Sequence, residues 1–232
     1  TMSSAPHGSD PVHDAAPCLV TGATGFIGTA LVRRLRAAGR PVRALARSGA
    51  NIAGDPDVTV VDLTSDRIPA GTLDGIATVY HLAAKTHDLF ASAAADADYW
   101  RVNLEGTQRL LESLGGRSIK RIVFVSSVKA QTEETTGEID ETQPADPTTA
   151  YGRSKLAAER LILSEARRRG FEGVCLRFPL VYGPGQRGNL LRMIAAIDRG
   201  RFPPPPAGNR RSMLHVENAV DALMLAGHHP AA

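Results

Sequence analysis

Residues 21–28 read TGATGFIG, set between the apolar run Cys18-Leu19-Val20 and the amphipathic stretch 29–35. That order predicts a strand, a glycine turn and a helix. Such a turn leaves backbone N–H groups at the helix start facing outward, where they suit a diphosphate. Gly22, Gly25 and Gly28 divide the work: a tight turn, close approach of backbone to phosphate, and close helix–strand packing. The spacing is GxxGxxG rather than the commoner GxGxxG, so its weight depends on the company it keeps in the rest of the chain.

Beyond this first helix the chain alternates. Strands are predicted at 42–47, 58–63, 78–84, 121–127 and 174–178, and each is nearly continuous in apolar residues. Helical spacing fills the intervals, with an alanine-rich helix, a longer one through 103–111, and one over 151–169. Near-continuous apolar strands alternating with helices imply a doubly wound parallel sheet covered on both faces, an α/β fold. Residues 131–149 are polar and contain proline, so they read as loop. From Val181 onward the pattern loosens. A turn at 182–185, a helix at 189–198, an extended prolyl stretch at 202–206, a short strand at 212–216 and a helix at 217–226 are expected.

The 232 residues suffice for one sizeable core. A net charge of +3 with dispersed basic residues excludes a nucleic-acid surface. The run Arg167-Arg168-Arg169 ends a predicted helix, where cations suit the dipole. Cys18 and Cys175 sit in apolar runs and read as buried thiols without metal spacing. No apolar run reaches the ~18 residues that cross a bilayer. Residues 1–17 hold three prolines, two histidines and no apolar segment, which reads as a flexible tail rather than a signal peptide. A cytoplasmic protein is expected.

Four features carry chemistry. Asp62 and Leu63 end the third predicted strand, where a carboxylate can accept from an adenine amino group. The second strand ends in Ala46 and Arg47, without the acid that would grip a ribose 2′-hydroxyl. Arg47 suits a 2′-phosphate and leans the choice between NAD and NADP toward NADP. Ser126 and Ser127 end the fifth strand at the same edge as the glycine turn. Tyr151 and Lys155 lie one turn apart on one helix face. An ammonium ~5 Å from a phenol at dielectric ~20 supplies roughly 3 kcal/mol, which brings Tyr151 from ~10 toward ~8, nearer to use as a base.

Taken with HLAA at 81–84, NLEGT at 103–107 and LRFPLVYGPG at 176–185, these motifs resemble the extended short-chain dehydrogenase/reductase family, in its nucleotide-sugar epimerase/dehydratase branch. The likeness runs from about Cys18 to Ala226. It implies a Rossmann-type NAD(P)-binding domain at 18–178 and a small, incomplete substrate lobe at 179–232. It implies Ser127, Tyr151 and Lys155 as the catalytic triad, with Tyr151 and Lys155 also touching the cofactor. Gly22, Gly25 and Gly28 match the pyrophosphate turn, lined by Phe26 and Ile27. Ala83 and Ala84 approach the cofactor ribose, and Asn103 matches a helix asparagine near the site. Asn189 and Arg211 match substrate contacts to a nucleotide-diphosphate sugar, UDP-sugars above all. No metal is implied.

The resemblance is strongest to bacterial polysaccharide enzymes, namely UDP-sugar 4-epimerases and 4-keto-sugar reductases. A dehydratase ranks lower, because Glu133 and Glu134 stand some residues past the serine strand and read as loop surface. A reductase of steroid- or flavonoid-like ketones and a non-catalytic dinucleotide sensor are the alternatives. A homodimer through the two long helices is also implied.

Overall fold

Strand β1 (Cys18–Thr21) is buried at every position, and so is β4 (Thr78–His81). Between them in sequence come β2 (Val42–Ala46) and β3 (Val58–Val60), followed later by β5 (Arg121–Ser127) and β6 (Glu172–Phe178). Burial on both faces is why these strands carry apolar residues without alternation. The computed structural model describes residues 16–47, 57–86, 93–135, 137–186, 189–201 and 210–230. The six strands pair in parallel in the order β3-β2-β1-β4-β5-β6. The order reverses between β1 and β4, and ligands of open α/β sheets bind outside the strand ends at that crevice.

Helices cover both faces. On one side lie α1 (Phe26–Ala37) and α6 (Val216–His228), whose Leu31, Leu35, Val220 and Leu223 pack on Val20, Tyr80 and Val123. On the other lie α3 (Gly106–Leu114) and α4 (Ala150–Arg169). Their Leu110, Leu114, Ala158 and Ile162 pack on Leu19, Val79, Ile122 and Phe124. Helix α4 starts where the Thr149 hydroxyl accepts from Gly152 N at 3.1 Å and ends at Gly170, whose φ of 75° suits glycine alone. Helix α2 (Ala93–Tyr99) runs into α3 through a π-helical turn, Trp100–Glu105, so the two helices expected here form one continuous run.

Three expectations meet differences. The third strand stops at Val60, and Asp62 and Leu63 lie in the turn beyond it. The Asp62 carboxylate bends back to accept from Thr64 N and Thr64 Oγ1, both at 2.8 Å, a side-chain turn that competes with the ladder. The second difference concerns the region from 179 onward. A two-stranded parallel sheet of β7 (Leu180–Tyr182) and β8 (Met213–His215), with helix α5 (Asn189–Asp198), stands beside the main sheet. The last helix, α6, does not belong with them. Its apolar face closes the core, and Arg121 at the foot of β5 donates to the Ala226 and His229 carbonyls at 2.9 and 2.8 Å. Third, residue 17 is held against the sheet, because Pro17 O accepts from Ala77 N. Residues 1–15 and the prolyl stretch 202–206 lie outside the described residues. Among the described residues no helix is long and apolar enough to cross a membrane.

Candidate active site

The crevice between β1 and β4 is built by close backbone contact. A Cβ on Gly28 would stand 2.1 Å from Gly22 O, and one on Gly22 would stand 2.7 Å from Ala83 N. Either addition forces the glycine turn away from its neighbours. Thr21 Oγ1 accepts from Leu82 N and Ala83 N at 3.2 and 3.1 Å, locking the ends of the two strands together. Helix α1 begins at Gly25 with no side-chain cap and no acidic residue in its first turn. Its first N–H groups and the positive end of its dipole therefore face the crevice unmasked. Phe26 and Ile27 open this helix. A Cβ on Gly25 would meet Gly22 O at 3.1 Å and otherwise project into the space before the helix. These residues fit a dinucleotide diphosphate.

His81 sits beneath the crevice, with Nδ1 2.7 Å from Thr21 Oγ1 and Nε2 2.8 Å from Thr107 Oγ1. The Thr107 hydroxyl donates to Asn103 O at 2.6 Å, so it must accept from Nε2–H, and Nδ1 then accepts from Thr21. The chain of bonds is complete with a neutral imidazole. Burial pushes the imidazole down to about 3, with the nearby Lys155 adding to it. Below its ordinary value of 6.5 the unfolded chain takes up the proton and the folded one resists until about 3. Stability is therefore lost as pH falls through that window. We expect the urea midpoint to fall more steeply from pH 6.5 toward 4 in the native protein than in His81→Asn, measured by circular dichroism. Equal slopes would remove His81 from this role.

At the end of β5, Ser127 faces the helix α4 that carries Tyr151. Its Oγ accepts from Lys129 N at 3.2 Å and hydrogen-bonds the Tyr151 side chain. Ser126 points to the opposite face, where its hydroxyl is buried without a partner among the described residues. The Tyr151 ring packs at 5.6 Å on Tyr99, at the end of α2. Burial pushes the Tyr151 phenol up, Ser127 opposes this, and the neighbouring Tyr99 and Glu133 reinforce it. The downward shift expected from Lys155 is thus reversed. The reason is geometric: Lys155 Nζ turns inward, donates to Val125 O at 2.6 Å and lies 4.1 Å from the centre of the Phe124 ring. Lys155 is only 2% exposed, and burial pushes its ammonium down to about 7.

Asn103 occupies the π-helical turn, a local widening that often marks functional sites. Its Oδ1 accepts from Lys85 N at 2.8 Å, and its Nδ2 donates to Ser154 Oγ at 3.0 Å. It thereby fastens the segment after β4 to the residue before Lys155. Ala83 and Ala84 lie on that segment, both half-buried. Lys85 Nζ pairs with Asp98 at 2.8 Å and stands 5.6 Å over Tyr99.

Glu133 is not loop surface. Its side chain is 16% exposed, accepts from the Thr149 hydroxyl and pairs with Lys129 at 3.0 Å. The loop 128–134 is thus pressed on the first turn of α4. A Cβ on Gly152 would stand 2.3 Å from Lys129 O, which explains a glycine directly after Tyr151. Sequence reasoning passes over Tyr99 and takes Glu133 for loop surface. Tyr99 had a signal, since it stands four residues before Asn103 and shares its helix face. Glu133 had none, because its docking depends on a loop closing over a helix.

The structure gathers the glycine turn, Ala83, Ala84, Ser127, Tyr151 and Lys155 at the carboxyl edge of the sheet. Arg47 is exposed at the end of β2 and reaches Asp62 electrostatically. Asp62 lies below the usual carboxylate range, held there first by the Thr64 N–H and also by Thr64's hydroxyl and Arg47. Asn189 is the first residue of α5, and its side chain lies outside the described residues. Arg211 is exposed just before β8.

The model of the NAD dependent epimerase/dehydratase family matches residues 18–232. The chain is similar to a UDP-glucose 4-epimerase from Vibrio cholerae, 31% identical over 92% of this chain and 67% of the relative. It is also similar to a 4-hydroxy-2-methyl-3-oxo-4-farnesyl-3,4-dihydroquinoline-1-oxide ketoreductase from Stigmatella aurantiaca, 30% identical over 89% of this chain and 63% of the relative. This chain therefore spans about two thirds of the length of these relatives. Among solved structures, MoeE5 in complex with UDP-glucose and NAD superposes with a TM-score of 0.78 and 38% identity, over 91% of this chain and 71% of that one. With the family match spanning all but the first residues, and the parallel sheet and glycine turn in place, the chain belongs to the NAD dependent epimerase/dehydratase family, enzymes of the extended short-chain dehydrogenase/reductase class.

Proposed function

We propose that this chain is an NAD-dependent enzyme acting on a nucleotide-diphosphate sugar, as a UDP-sugar 4-epimerase or a 4-keto-sugar reductase. One observation carries the reading: Ser127 and Tyr151 meet at the same sheet edge as the uncapped glycine turn, with Lys155 one helical turn below. MoeE5, with its bound UDP-glucose and NAD, and the Vibrio epimerase support the substrate class and favour NAD. Gly22, Gly25, Phe26, Ile27 and Gly28 hold the diphosphate, Asp62 and Leu63 the adenine side, Arg47 the adenine ribose, and Ala83 and Ala84 the nearer ribose. When bound, the nicotinamide supplies and takes up hydride.

The protein's own part is proton transfer and orientation. Tyr151 gives a proton to, or takes one from, the sugar oxygen. Ser127 hydrogen-bonds that oxygen and keeps it in line with the phenol. Lys155 supplies positive charge beneath the site. The partial burial of Tyr151 limits its contact with water, which strengthens each of these interactions. Arg211 offers a planar guanidinium fork to the substrate diphosphate, and Asn189, the first residue of α5, is the second candidate substrate contact. The outer faces of α3 and α4 are offered for a homodimer.

The test is direct. Purified protein given NAD and, in turn, UDP-glucose, UDP-N-acetylglucosamine and UDP-glucuronate is expected to form the 4-epimer of at least one. NADPH with a UDP-4-keto sugar covers the reductase arm. No conversion in either arm would overturn the reading. The Stigmatella relative favours a second reading, a ketone reductase without a nucleotide substrate. Thermal shift separates the two, because UDP alone stabilises only an enzyme that holds a nucleotide.

A further inference from the structure

Glu159 follows Lys155 by one turn on the buried face of α4 and is 3% exposed. A carboxylate there needs a partner. It has one in Arg177 of β6, whose Nε and Nη2 reach Glu159 at 3.0 and 2.7 Å. The same guanidinium donates through Nη1 to Gln131 Oε1 at 3.1 Å. Gln131 is itself buried, and its amide donates to the carbonyls of Asp140 and Gln143. One unbroken chain of bonds thus runs from the helix beneath the crevice to the segment 131–149, which joins the Ser127 strand to the Tyr151 helix.

We propose that Glu159 is a positioning residue, whose carboxylate is the fixed counter-charge of the Lys155 ammonium and whose pairing with Arg177 braces the segment between Ser127 and Tyr151. This rests on the reading of Lys155 given under Proposed function. The groups facing Lys155 come from four elements. On α4 itself stands Glu159, with Tyr151 one turn away on the other side, on β4 His81, on β5 the Phe124 ring, and on β6 Cys175 with Arg177 beyond it. At neutral pH the phenol is protonated and the imidazole neutral. Burial pushes the Cys175 thiol up to about 12, so it is protonated too. Of these groups Glu159 alone is an anion. It favours the charged amine where burial opposes it. Arg177 works the other way, by drawing on the same carboxylate.

That opposition gives the test its sign. Removing Glu159 leaves two cations without an anion between them. Removing Arg177 leaves the anion to Lys155 alone. The Lys155 Cε signal is titrated by carbon-13 NMR in the intact protein and assigned by its absence from Lys155→Met. Glu159→Gln is expected to lower the midpoint by about one pH unit or more, since a charge one helical turn away acts at that scale. Arg177→Gln is expected to raise it. Glu159→Asp retains the charge and stays near the native midpoint. The pH profile of turnover moves with the NMR midpoints.

A role confined to holding the loop would shift both midpoints in one direction or neither, and either result overturns the proposal. If Glu159→Gln does not fold, Arg177→Gln decides by itself, since an unmoved or lowered midpoint overturns the proposal. The NMR readout needs no substrate. Opposite shifts in a protein that turns over no nucleotide sugar would therefore uphold the charge pairing while removing the proposed activity.

Discussion

Tyr151→Phe is expected to lower turnover about 10²–10⁴-fold, the range that general acid–base catalysis commonly contributes. The substitution removes one oxygen and leaves the ring, which continues to pack on Tyr99 at 5.6 Å. Ser127 loses a partner but keeps Lys129 N. Stability should therefore change by no more than about 1 kcal/mol, the scale of one hydrogen bond. NAD retention should persist, since the glycine turn and the start of α1 are untouched. The two directions of the reaction carry a further signature. Burial keeps the phenol protonated at neutral pH, ready to donate to a ketone. Ketone reduction should vary little through neutral pH, while alcohol oxidation should rise with pH as the phenolate forms. Both are measured as initial rates of product formation. A phenylalanine variant with native turnover would remove Tyr151 from the chemistry.

The sheet and its edge were legible because burial on both faces forces an unambiguous composition. A strand such as β5, reading RIVFVSS between polar segments, has little else it can form. The glycine turn was legible for a related reason, since Gly22 and Gly28 stand where any side chain collides with backbone. Other features depend on contacts between distant segments. Strand β7 is three residues long and pairs with β8 from Leu180 to Met213, so nothing local announces it. Helix α6 shows an apolar face at Val216, Val220 and Leu223, but that spacing names no partner. Only the packed structure shows it closing the core beside α1. The π-helical turn around Asn103 likewise has no compositional mark.

The burial of Lys155 was the least legible feature of the site, because lysine is almost never fully buried. It turns the expected electrostatics around. A charged lysine one turn from Tyr151 would pull the phenol down. Instead the ammonium points inward to Val125 O, and both groups are moved toward their neutral forms by burial. The site is therefore assembled against the preference of its own charges, and strain of this kind is offset elsewhere in a fold.

Lys155→Met is accordingly expected to abolish measurable turnover and to stabilise the protein. The ammonium's folded value of about 7 lies below its ordinary 10.5, so folding disfavours the charged form. The unfolded chain binds more protons than the folded one between those values. Stability of the native protein therefore rises with pH across that window, and the burden is greatest below about 7. Methionine has similar length, carries no charge and fills the pocket against Phe124. At pH 7 the gain should be on the order of 2 kcal/mol after loss of the Val125 bond, or about 4–8 °C in Tm for a chain of this size. The gain should shrink as the pH is raised toward 10.5, where the native lysine no longer costs a charge. Calorimetry at three pH values checks the sign. An unchanged or lowered Tm at neutral pH would mean that the ammonium is satisfied where it lies, with Glu159 offsetting its burial in full.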